Sequence, residues 1–337
     1  PPTATTHPPA AASTPTPARP PSAGPMDEPT FTDAEIEALR APTPVAEWGA
    51  VHERGLAYMR WRRDEAVKAS GVAPSAEMAS DLRLFRFLVA TSFKAAEAAQ
   101  MYTETLAWRK EHGMDAVRDA LVAANREFFE GGGSTLAAPH LTDADRAMME
   151  ARPRTFYKAA GDAYAPLVDK AGNLVYIEVP SVVDPAAVCA IKGEYVKAEL
   201  RAQELLQLVI DEFSKRLGKM VLIFRIIDLT GFSLAPNFFA SREVKEGKEM
   251  VKTAGDAVKN TYPTTTFKNF LCNAPAASIA GPIVGALVPK RSRDKTVIKG
   301  GDFAEELHKW IDLAMLPSKL GGALDDGLQW TGKGKKK

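Results

Sequence analysis

Val221-Leu222-Ile223-Phe224-Arg225-Ile226-Ile227, followed by Asp228-Leu229-Thr230-Gly231, is a short and nearly continuous apolar run that ends in turn-forming residues. Such a run marks a strand covered on both faces, as in a parallel sheet, rather than the alternating pattern of a half-exposed strand. The flanking segments carry the period of helices. Glu194–Leu217 repeats Leu205, Val209, Phe213 and Leu217 every four residues beside Leu206 and Ile210, which gives one apolar helix face. Leu174–Val179 reads as the preceding strand. Helix Leu234–Lys259, strand Phe267–Asn273, helix Ala276–Val288, strand Thr296–Ile298 and helix Phe303–Ala314 follow. This alternation predicts an α/β domain over residues 154–324, with a mainly parallel sheet covered by crossover helices.

Toward the N-terminus only helical signals remain. Thr32-Asp33-Ala34-Glu35 is a capping-box pattern ahead of Ile36 and Leu39. Helical periodicity runs through Ala46–Ala69, Ala76–Val89 and Lys94–Lys110. In the second, Leu82, Phe85, Leu88 and Val89 share a face; in the third, Ala98, Met101, Thr105 and Trp108 do so. An all-α module is expected over residues 31–124. Residues 125–153, centred on Gly131-Gly132-Gly133, read as an irregular connection. Residues 1–30 are rich in Ala, Pro and Thr, with too little apolar bulk to offset the entropy of ordering them, and residues 325–337 form a polar, Lys-rich tail.

Composition bounds the function. The 337 residues include 43 basic and 42 acidic side chains, a formal charge of +1, so no global field draws the chain to nucleic acid. Cys189 and Cys272 are too few for a disulfide framework and lack metal-ligand spacing. His7, His52, His112, His140 and His308 are scattered. No metal or other cofactor is expected, and no phosphate-binding glycine loop is present in the sequence. No run approaches the roughly 20 apolar residues that span a bilayer. A monomer in the cytoplasm, peripherally associated with membranes, is expected; organellar targeting by the N-terminal tail is the alternative.

The order of short motifs resembles the CRAL-TRIO lipid-binding family. Leu82-Arg83-Leu84-Phe85-Arg86-Phe87-Leu88 with Trp108-Arg109-Lys110 is similar to its N-terminal helical module, and Val168-Asp169-Lys170-Ala171-Gly172-Asn173-Leu174-Val175-Tyr176 to the strand hairpin that opens its lipid domain. Asp228-Leu229-Thr230-Gly231, Tyr262-Pro263, Asn273-Ala274-Pro275 and Leu316-Pro317 with Gly321-Gly322 follow in the family order. The resemblance spans roughly residues 82–322. It implies a non-enzymatic carrier, similar to phosphatidylinositol and phosphatidylcholine transfer proteins, whose ligand is a phospholipid or other hydrophobic small molecule exchanged through transient contact with an anionic membrane.

The apolar inventory fits that implication. A diacyl lipid carries on the order of 30 methylene groups, and at about 0.8 kcal/mol each its exposure to water costs roughly 20 kcal/mol or more. Phe224, Phe232, Phe238, Phe239, Phe267 and Phe270 are candidates to line an enclosing pocket, although periodicity does not distinguish a packed core from a lined cavity. The run Ala276–Val288 is apolar nearly all round, so as a helix it is buried or touches lipid. The resemblance makes it the gate, with Ala277, Ile279, Ile283, Val284 and Leu287 as its apolar positions. Lys290, Arg291, Arg293 and Lys299 behind it are read as a membrane-docking patch or, equally simply, a solvated basic loop.

For the head group, the resemblance assigns Ser292 and Lys295 to the positions that hold an inositol phosphate. The arginine-lysine pair of that subgroup is replaced by Thr91 and Ser92, and its glutamate by Thr264. Tyr164 and Tyr176 correspond to tyrosines that contact choline, and aromatic faces attract quaternary ammonium groups. Tocopherol-like, sterol or carotenoid ligands stay open. Two other functional classes are kept: a lipid-sensing signalling adaptor, and a serine hydrolase using Ser233 with Asp294 or Asp302 and His308, whose Gly231-Phe232-Ser233-Leu234-Ala235 only approximates a nucleophile elbow.

Overall fold

The capping box at Thr32 starts the first helix as its spacing requires: Thr32 Oγ1 accepts from the Glu35 amide, and Glu35 accepts from the Thr32 amide. The computed structural model describes residues 26–41, 43–232, 241–259, 261–263, 266–274, 288 and 293–324. Its N-terminal module comprises α1 (Asp33–Arg40), α2 (Ala50–Ser70), α3 (Ala76–Ala79), α4 (Asp81–Ala90), α5 (Ala95–Glu111) and α6 (Met114–Ala124). The single helix expected over Ala76–Val89 is two. Ser80 bonds to Glu77 O and accepts from Arg83 N, closing one helix and capping the next. Glu28, expected in the tail, accepts from Ala96 N at the start of α5. Leu56, Met59, Leu84, Phe87, Leu88 and Tyr102 form the module's core.

The connection is not irregular throughout. It holds α7 (Arg126–Phe129) and α8 (Asp143–Ala151), the second with its own capping box between Thr142 and Asp145. Asp145 also accepts from Arg201 Nε at 2.7 Å. With only Met148 and Ala151 as its buried apolar side chains, α8 is too short and polar to announce itself by periodicity.

The domain proper runs β1 (Arg154–Thr155), β2 (Tyr157–Ala160), β3 (Ala163–Pro166), β4 (Leu174–Glu178), α9 (Pro185–Ala190), α10 (Lys192–Leu217), β5 (Ile223–Asp228), α11 (Arg242–Lys259), β6 (Thr266–Cys272), β7 (Thr296–Ile298) and α12 (Ala304–His308). A five-stranded sheet has the order β1-β4-β5-β6-β7, parallel from β4 to β7 with β1 antiparallel at the edge. A separate hairpin joins β2 and β3, upstream of the stretch whose sequence resembles an opening hairpin. Helix α12 is shorter than the expected Phe303–Ala314 and gives way to a 3-10 turn at Leu313–Met315. Of the expected helix Ala276–Val288, all but Val288 lies outside the described residues, as do the first residues of Leu234–Lys259.

Strand alternation divides the core. Leu174 and Ile223 meet Leu205, Leu206, Val209 and Ile210 of α10, while Val175, Ile177, Phe224, Ile226 and Phe270 meet Leu307, Ile311 and Leu316 on the other face. The central strands therefore have little room for polar residues, which is why the run reads as continuous. Gly218 ends α10 at φ 59°, a left-handed conformation that disfavours a side chain.

Helix α10 also carries the module. Asp211 takes Arg83 and Arg86, with Arg86 Nη2 donating to Ser214 Oγ and Val221 O at 2.8 Å each. Nearby, Glu204 takes Arg109 Nη1 at 2.9 Å and the Tyr262 hydroxyl at 2.7 Å. The arginines of the two N-terminal motifs are thus the buried charges that lock module to domain.

Candidate functional site

Two spaces open beyond the C-terminal ends of β4 and β5, sharing Val179 and Ser181 as walls. One, about 490 Å³, lies on the α11 side of the sheet and is lined by Arg152, Arg154, Glu178, Arg225 and Lys248 together with apolar Val179, Val183, Phe232 and Val251. The other, about 450 Å³, is bounded by Ile177, Val182, Pro317 and Leu320, with Asp228, Thr230, Asn273 and Lys319 as its polar lining. Volumes of this order suit an organic ligand.

The turn between the two is tightly held. Asp228 Oδ1 accepts from the Thr230 amide and hydroxyl and from Asn273 Nδ2. Ser181 Oγ donates to Thr230 O at 2.5 Å. Asp228 and Asn273, from two separate sequence motifs, hold each other across adjacent strands, fixing the rim of both cavities.

The charges of the larger cavity follow from sheet register. Tyr176 lies opposite Arg225, so Glu178, two residues along β4 on the same face, is Arg225's diagonal neighbour; the two form an ion pair. Glu199 of α10 is taken in a bidentate fork by Arg154, at 2.5 and 2.7 Å, and more distantly by Arg152 at 3.3 Å. Burial works to raise the Glu199 pKa, but Arg154 and Arg152 more than offset it and hold the carboxyl below its ordinary value. Among the described residues no group of His, Cys, Asp and Glu could hold a metal ion.

Of the expected pocket-lining residues, Phe232 is a wall of the larger cavity. Phe224 and Phe270 are fully buried and pack, with half-buried Phe267, near Trp310, away from the walls of both cavities. Phe238 and Phe239, the gate positions Ala277, Ile279, Ile283, Val284 and Leu287, and Ser292, Lys290 and Arg291 lie outside the described residues. Tyr164 and Tyr176 both join the α10-side core, Tyr164 against Tyr157 with ring centroids 5.3 Å apart. Burial raises the Tyr176 hydroxyl's pKa. Lys295 donates to Thr266 O at 3.2 Å, and burial lowers its pKa. Thr266 pairs with Ile223 at the start of β5, which puts Lys295 about 16 Å along the strand from the Asp228 end where both cavities open. Arg293 is exposed and donates to Val288 O; Lys299 bonds through its backbone to Leu271 O and Ala274 N.

Arg152, Arg154, Arg225, Lys248 and Glu178 form a site that sequence reading missed. They come from four separate segments, and only the even spacing of Tyr176 and Glu178 along an otherwise apolar strand signals polar groups turned to one face.

Among the described residues no helix is long and apolar enough to cross a membrane. Residues 159–322 match the CRAL/TRIO domain. A CRAL-TRIO domain-containing protein of Caenorhabditis elegans is 22% identical over 257 residues, covering 73% of this chain and 30% of the relative. Protein real-time of Drosophila pseudoobscura pseudoobscura is 26% identical over 256 residues, covering 71% and 31%. The chain thus spans less than a third of the length of these two relatives. A SEC14 cytosolic factor of Candida glabrata is 26% identical over 251 residues, covering 73% of this chain and 72% of that protein. Among solved structures, the crystal structure of Sfh5 aligns over 87% of this chain and 89% of its own at 14% identity and a TM-score of 0.45.

Proposed function

The chain carries a CRAL/TRIO domain at residues 159–322, and from that premise we propose that it is a non-enzymatic lipid carrier that encloses one hydrophobic ligand and exchanges it at membranes. The observation that carries this reading is the pair of ligand-sized cavities sharing Val179 and Ser181, with Val183, Phe232, Val251, Val182 and Leu320 supplying apolar wall. An acyl chain placed against such walls leaves water at about 0.8 kcal/mol per methylene, which is the driving force a carrier needs. The segment Ala276–Leu287, apolar nearly all round in sequence, is assigned the gate, and Arg293 and Lys299 with Lys290 and Arg291 the contact with an anionic membrane.

The hydrolase reading has less support. His308 Nε2 lies 3.0 Å from Gly321 O, a carbonyl it can meet only as an N–H donor, so this nitrogen is not a free general base. A transfer assay between donor and acceptor vesicles tests the carrier reading. Added protein is expected to accelerate movement of a fluorescent phospholipid in proportion to its concentration, and Ser233→Ala is expected to leave that rate unchanged. Esterase activity abolished by Ser233→Ala, without vesicle exchange, contradicts it.

A further inference from the structure

The charges around the larger cavity do not balance. Arg152, Arg154, Arg225 and Lys248 line it, against Glu178 in the lining and Glu199 behind the arginines. Four cations face two carboxylates, a surplus of two positive charges. Glu199 gives both oxygens to Arg154 at 2.5 and 2.7 Å, so with this carboxylate Arg152 keeps a longer contact of 3.3 Å, while Arg225 is paired with Glu178. Lys248, on the exposed side of α11, makes no ion pair among the described residues. The neighbouring α11 carboxylate Glu246 is occupied by Arg242 at 2.6 Å.

The same cavity has an apolar half, formed by Val179, Val183, Phe232 and Val251. A cationic half and an apolar half in one space suit an amphiphile with an anionic head. A phosphate monoester carries about −1.5 to −2 at pH 7 and offers three acceptor oxygens, which matches the surplus charge, and guanidinium groups suit phosphate oxygens through paired donors. A choline head fits less well: the space that Tyr176 shares with Arg154 is only about 20 Å³, room for about one water and not for a trimethylammonium group against that ring.

We propose that this cavity selects a lipid bearing a phosphate monoester head, with Arg152 and Lys248 as the principal phosphate contacts and the apolar half receiving the first part of the acyl chains. The proposal rests on the carrier reading and places the head group at the C-terminal ends of β4 and β5, away from Lys295.

The test incubates the full chain with phosphatidylcholine vesicles containing equal amounts of phosphatidic acid and diacylglycerol with matched acyl chains, and quantifies by mass spectrometry the lipid recovered on the protein. Phosphatidic acid is expected to be enriched over the other two. Lys248→Gln and Arg152→Gln should each lower its recovery about tenfold, the loss of one charge-assisted hydrogen bond, with diacylglycerol recovery unchanged. Since Lys248 is exposed, its replacement keeps the test independent of folding. Recovery of lipid without preference for phosphatidic acid, or equal losses of all lipids in both variants, overturns the proposal and leaves the carrier reading standing. No recovery of any lipid overturns both. A parallel calorimetric titration with inorganic phosphate identifies the source: weak binding beside phosphatidic acid recovery supports a lipid head group, whereas tight phosphate binding without phosphatidic acid recovery contradicts it.

Discussion

Asp211 neutralises two arginines at once. Arg83 reaches Asp211 through Nε at 3.0 Å and through Nη2, and the Arg86 Nε lies 3.5 Å from the other oxygen. Burial pulls the Arg86 guanidinium down to a pKa of about 10 even with Asp211 beside it. Asp211→Asn keeps the shape but strands both cations, so it is expected to destabilise the fold by about 3–5 kcal/mol in urea unfolding. Glu212→Gln, one residue along and half-buried, leaves Lys215 and Arg216 in reach of solvent and should cost less, about 1 kcal/mol. Equal effects would remove Asp211 from its bridging role. These charges were visible in sequence only as letters of a motif. Leu82-Arg83-Leu84-Phe85-Arg86 resembles a family module, yet nothing in its spacing tells that both arginines turn inward, because their partners lie 128 residues away.

At the scale of elements, α11 sits directly on α9. A Cβ built at Gly247 would come within 1.8 Å of Pro185 O, a backbone atom that cannot swing aside. Gly247→Ala therefore has to push α11 outward, carrying Lys248 and Val251 away from the larger cavity. We expect a net destabilisation of about 1–3 kcal/mol, overriding the usual helix gain. Gly255 on the same helix has open space around its Cβ position, so Gly255→Ala should stabilise by roughly 0.5–1 kcal/mol. Thermal unfolding of both variants reads the contrast; stabilisation by both would contradict the close approach. The central strands were the most legible elements, since β4 and β5 are largely apolar runs buried on two faces, whereas β6, with Lys268 and Asn269, and the edge strand β7 are legible chiefly from the alternation of strands and helices. Helix α8 and hairpin β2–β3 were not legible. The first is short and held by polar caps, and the second, Tyr157–Ala160 with Ala163–Pro166, carries too few apolar residues to alternate clearly.

For the molecule as a whole, the site is where sequence runs out. Phe224 and Phe270 carry the same apolar signal as Phe232, but only Phe232 is a wall of the larger cavity, because strand register and the position of the C-terminal turns decide which side chains meet a void. The basic lining is hidden for a related reason: Arg152 just after α8 and Arg154 in β1 are neighbours in sequence, but Arg225 in β5 and Lys248 in α11 are brought to them by the tertiary fold alone. The module, clamped to α10 through Asp211 and Glu204, fixes the helix on which Glu199 holds Arg154 and Arg152, so folding stability and cavity charge share one scaffold. Native mass spectrometry of the gently purified full chain, followed by denaturation and lipid identification, tests the central claim most directly. One lipid per chain, released on denaturation, is the predicted result. A chain that carries no lipid, and takes up none after incubation with vesicles of mixed neutral and anionic lipids, would contradict the account.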